Sequence, residues 1–119
     1  MVYRTLVIAV VLSLGSSASQ AGMSVDTLVS AGSFFAAANR CEDGDQISKG
    51  QSARLIRALR AYFSKSDTRR FKSGMSEGWK RSSVYLAKEK RWEPFVADEA
   101  ACSRVQAVLD EYKTTLLSQ

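Results

Sequence analysis

The chain has 119 residues, a formal charge of +5, two cysteines, one proline and no histidine. Without histidine, Ser-His-Asp and Cys-His catalysis and the commonest metal ligand are excluded. A single proline and the scarcity of alternating apolar–polar runs exclude an all-β fold.

Residues 1–21 read as a cleavable signal peptide. Arg4 supplies the positive start, and an uncharged apolar run extends from Leu6 to Leu14. Small residues follow, and Ser19 and Ala21 suit the two recognition positions of a signal peptidase. The apolar run is shorter than the ~20 residues a membrane-spanning helix needs. The expectation is a protein of the periplasm or one secreted from the cell, with residues 22–119 as one helical domain and no transmembrane segment. In that oxidising compartment Cys41 and Cys102 are expected to form a disulfide. A free thiol or an intermolecular bridge is the alternative, but there is no CxxC pair and no histidine to activate a thiolate.

Helical periodicity predicts an all-α fold, a compact bundle of about four helices. The first helix covers residues 25–39, with Ser24 as N-cap and Leu28, Ala31, Gly32, Phe35 and Ala38 on one face. Phe34 points elsewhere, and Cys41 lies just past the end. Residues 42–48 form a polar turn. Their Glu42-Asp43-Gly44-Asp45 run resembles a calcium loop but lacks the full alternation of ligands and the distal glutamate. Ser48 and Gln51 have capping-box spacing and open a second helix that runs to Phe63, with Leu55, Ile56, Leu59, Tyr62 and Phe63 as its apolar stripe. Arg54, Arg57 and Arg60 fall opposite.

Asp67 caps a third helix that reaches Lys88 or beyond, with Phe71, Met75, Gly78, Trp79 and Tyr85 on one face. Gly74 and Gly78 each cost about 1 kcal/mol in a helix interior, so their presence signals either close approach of another backbone or a local break. Pro94 suits the first turn of a fourth helix. Ala101, Cys102, Val105, Val108, Leu109, Tyr112 and Leu116 form its buried face. The bridge would then pin the end of helix one to the body of helix four.

Charge is segregated along the chain. Residues 49–91 hold thirteen Lys or Arg against three acids, a net +10, whereas residues 22–48 and 92–119 are each net −3. Taking helices two and three as antiparallel neighbours, Arg54, Arg57, Arg60, Arg69, Arg70, Lys72, Lys80 and Arg81 merge into one basic face, with Trp92 a candidate anchor beside it. The alternatives are Trp92 as a cap on the core and the basic face as a solvated surface that keeps the protein soluble. The charge suits an anionic envelope component or a protein partner. Nucleic acid fits the charge but not the compartment.

Glu77 and Glu89 are the candidate catalytic carboxylates, but nothing in the pattern points to the raised pKa that glycoside chemistry requires. No motif calls for a metal or other cofactor. The expected function is therefore a non-enzymatic binding protein that docks its partner through the basic face. The alternatives are a secreted effector or immunity-type protein occluding one protein target, and a cell-envelope enzyme.

Overall fold

The computed structural model describes residues 23–117; the expected signal peptide lies outside them. Its elements in chain order are α1 (Val25–Asp43), α2 (Gln51–Arg60), α3 (Lys65–Arg81), β1 (Ser83–Leu86), β2 (Arg91–Pro94) and α4 (Glu99–Leu117). No helix among them is long and apolar enough to cross a membrane.

α1 is the central element. Ser24 caps it, its hydroxyl accepting from the Thr27 amide at 3.1 Å. The expected one-faced amphipathic helix is instead buried on all sides: every residue from 30 to 38 is inside. Phe34 accordingly faces the core, its ring 5.2 Å from Phe35 and 6.0 Å from Tyr112 of α4. The small residues explain how one helix takes neighbours on several sides, since Ser, Ala and Gly let other backbones come close. α1 also runs one turn beyond the expected end, so Cys41 sits inside its last turn and Gly44 closes it.

α3 lies along α1, and three glycines set the distance. A β-carbon on Gly32 would stand 2.8 Å from the Met75 amide nitrogen. One on Gly74 would stand 2.8 Å from the Val29 α-carbon, and one on Gly78 3.0 Å from the Ser33 α-carbon. Close backbone approach is thus the reason for Gly74 and Gly78. The α3 N-terminus carries a capping box in which Ser64, not Asp67, is the cap. The Asp67 amide donates to the Ser64 hydroxyl at 3.0 Å, and the Ser64 amide donates to the Asp67 carboxylate at 3.2 Å.

The helix expected to reach Lys88 ends at Arg81, where Ser82 adopts a left-handed conformation (φ 49°). Residues 83–94 form an antiparallel hairpin, with Val84 opposite Glu93 and Tyr85 opposite Trp92. Val84 and Leu86 are buried against Ala37, with Phe95 packed beside them. The Tyr85 amide donates to the Ser33 hydroxyl at 2.8 Å, which ties the free edge of β1 to α1. Pro94 therefore ends a strand and does not begin a helix. α4 starts at Glu99, with the Asp98 carboxylate accepting from the Ala101 amide at 2.8 Å.

α2 and α3 are not antiparallel neighbours. α2 packs on α4 and α1, while α3 packs on α1 and the hairpin. α2 stops at Arg60, and the turn that follows leaves Tyr62 exposed, off the expected apolar stripe. The main core joins Leu55 and Leu59 of α2, Phe34 and Phe35 of α1, Phe71 of α3 and Val105, Val108, Leu109 and Tyr112 of α4. The Cys41–Cys102 disulfide lies within it, with α-carbons 5.7 Å apart, and fastens α1 to α4.

Candidate docking surface

The basic residues singled out in the sequence all lie on the outside. On α2, Arg54, Arg57 and Arg60 are spaced three apart and exposed. Ser52, Leu55 and Leu59 on the opposite side are buried. On α3 only Asp67, Phe71, Gly74 and Gly78 are buried, a narrow stripe facing α1. Arg69, Arg70, Lys72, Lys80 and Arg81 are exposed around the rest, with Lys65 at the helix start. The merging expected from antiparallel packing of α2 and α3 does not hold, since the two helices do not pack as neighbours. The rows are joined only along the chain, through residues 61–64 with exposed Arg60, Tyr62 and Lys65.

Charge pairing divides these residues into two groups. Lys80 and Arg81 share Glu77, at 4.0 and 3.0 Å. Arg54, Arg57, Arg60, Lys65, Arg69, Arg70 and Lys72 have no carboxylate within ion-pair distance among the described residues. Residues 51–81 carry nine Lys or Arg against two acids, and one of those acids, Asp67, is buried in the α3 cap.

Two arginine–indole stacks flank the surface. The Arg40 guanidinium, reaching across from α1, lies 4.3 Å from the Trp79 ring centroid and donates to the Trp79 carbonyl. It supports an indole that remains 43% exposed. Trp92 is on β2, not in a loop after a helix. Its ring is 5.1 Å from Tyr85 and 4.8 Å from the Arg81 guanidinium. Sequence reasoning assigned Trp79 to the buried face of its helix. Its place two turns after Lys72 was the signal that it shares the basic side.

The acidic candidates have other employment. Glu42 is only 7% exposed, and its carboxylate accepts from the Ser52 amide at 2.9 Å, the Ser52 hydroxyl at 2.6 Å and the Gly50 amide at 3.3 Å. It supplies the cap that Gly50, in a left-handed conformation, lacks a side chain to give. The expected Ser48–Gln51 box is absent: the Gln51 side chain donates to the Ser48 carbonyl and exchanges hydrogen bonds with Gln106 of α4. Asp45 pairs with Lys49 at 3.5 Å. Glu77 is on α3, but Glu89 is in the hairpin turn and pairs with Arg91 at 3.2 Å, so the two are not on one helix. Among the described residues no group of three or more His, Cys, Asp or Glu side chains is arranged to hold a metal ion.

Two tyrosines are held above the usual phenol range. Tyr85 is shifted by desolvation and by its hydrogen bond to the Asp26 carboxylate, at 2.9 Å. Tyr112 is shifted by burial. Neither belongs to the basic surface.

Comparison with known proteins finds no matching family model, no matching curated protein and no matching solved structure.

Proposed function

We propose that this is an exported, non-enzymatic binding protein that docks an anionic partner through the outer faces of α2 and α3. The disulfide is compatible with an oxidising compartment such as the periplasm or the cell exterior. The observation that carries the reading is the set of seven exposed cations on α2, α3 and their corner without carboxylate partners among the described residues.

Local stability does not account for them. Arg54 and Arg57, Arg57 and Arg60, Lys65 and Arg69, and Arg69 and Lys72 are like-charge pairs at helical i,i+3 or i,i+4 spacing. Each such pair costs roughly 0.2–0.5 kcal/mol. Lys65 and Arg69 also sit at the positive end of the α3 dipole, where acids are favoured. An anionic partner offsets both costs.

The test is binding of the oxidised protein to a panel of anionic probes, phosphatidylglycerol vesicles, lipopolysaccharide and polyphosphate, across a salt series. Wild type is expected to bind at least one probe at low salt and to release it at high salt. Reversal of Arg54, Arg57 and Arg60 to Glu is expected to weaken that binding at least about tenfold. Absence of binding to every probe, or unchanged binding by the triple variant, would overturn the proposal.

A further inference from the structure

We infer that α3 docks lengthwise on an anionic phospholipid surface, with Trp79 and Tyr62 seated at the headgroup level. This rests on the binding role proposed above and names its partner.

The argument begins with helical spacing. Lys65, Arg69, Lys72, Ser76 and Trp79 follow one another by four, three, four and three residues, so they form a single stripe, and all five are exposed. At 1.5 Å per residue the stripe is about 21 Å long. It bears three cations without carboxylate partners among the described residues and ends on an indole. Tyr62, 41% exposed, stands three residues before its start. The positive row thus ends on an exposed indole, and a second exposed ring, Tyr62, lies in the turn that precedes it along the chain.

The rings decide between lipid and a soluble polyanion. Cations alone suffice for a polymer of phosphates or sulfates. Trp and Tyr are the residues that settle where hydrocarbon meets water, and basic clusters are drawn to anionic headgroups. Trp79 is also braced in place. Arg40 stacks on the ring and bonds to the residue's own carbonyl, which holds the indole at the surface and keeps it out of the core. Trp92, by contrast, is half-buried and already packed with Tyr85 and Arg81.

The difference between the two tryptophans makes the test direct. Trp92→Phe leaves Trp79 as the sole indole, and Trp79→Phe leaves Trp92. Each oxidised protein, as residues 22–119, is titrated with mixed phosphatidylglycerol–phosphatidylcholine vesicles, with phosphatidylcholine vesicles and with polyphosphate, while indole emission and sedimentation with vesicles are followed. The expected result is a blue shift of Trp79 with the anionic vesicles only, and none for Trp92. Neutralising the stripe (Lys65→Gln, Arg69→Gln, Lys72→Gln) is expected to lower vesicle affinity roughly a hundredfold. Polyphosphate binding without vesicle binding would overturn the lipid inference and leave the basic-face reading standing. Absence of binding to the anionic vesicles would overturn the lipid inference, and absence of binding to polyphosphate and lipopolysaccharide as well would overturn the basic-face reading with it. Vesicle binding with unchanged Trp79 emission, or with a shift of Trp92 instead, would overturn the assigned orientation.

Discussion

Gly74 of α3 lies directly against Val29 of α1, so close that a β-carbon on the glycine would meet the valine's backbone, 2.8 Å from its α-carbon. No side-chain rotation relieves such a contact. Gly74→Ala should therefore destabilise the fold by about 2 kcal/mol or more, despite the roughly 1 kcal/mol that alanine gains over glycine in helix propensity. Urea denaturation measures this. Exposed Ser73→Ala, one residue away, should show no such loss, and equal stability of the two variants would contradict the close-packed helix pair.

Tyr112 is completely buried, stacked on Phe34, and its hydroxyl has no hydrogen-bond partner among the described residues. Removing that oxygen while keeping the ring should stabilise the protein, by about 1 kcal/mol for Tyr112→Phe. Burial also raises its pKa, so the fold holds the proton more tightly than the unfolded chain does. This contribution to stability is complete below the usual tyrosine value near 10 and is lost as pH rises beyond it. Wild type should weaken steeply on the alkaline side. Tyr112→Phe should weaken less, and equally steep alkaline limbs would count against a buried phenol.

Glu42 closes the α2 N-terminus from a different helix, accepting from the Ser52 amide and hydroxyl and from the Gly50 amide. Glu42→Ala leaves these donors unsatisfied and should cost about 1–3 kcal/mol. Asp43→Ala, at an exposed neighbouring position, should cost far less. Amide hydrogen exchange would localise the effect: protection should fall first in α2.

The Cys41–Cys102 bridge closes a loop with a sequence separation of 61. The chain-entropy model assigns roughly 4 kcal/mol to a loop of this size. The double variant Cys41→Ser, Cys102→Ser should lose stability by up to about that amount, read as a shift in the urea midpoint. A variant as stable as wild type would show that core packing alone holds α1 to α4.

Much of this was legible because helices repeat every 3.6 residues. The buried face of α4, from Ala101 through Tyr112, and the outward row Arg54, Arg57 and Arg60 follow from spacing alone. So does the existence of the four helices among the described residues. The disulfide followed from cysteine count and expected compartment.

What spacing cannot carry is contact between distant residues. The hairpin at residues 83–94 buries only Val84 and Leu86 on alternate positions, too short a run to be told from a helix, and its turn, residues 87–90, contains no Gly, Pro or Asn. The all-round burial of α1, the pairing of α3 with α1 and not α2, the Glu42 cap and the Arg40 brace behind Trp79 are each made between separate elements. The sequence by itself determined which segments are helical and where positive charge is concentrated, since both are properties of neighbours along the chain. Only the tertiary structure decided which helix is central and which aromatic ring shares the basic stripe, because those depend on how close two backbones can come.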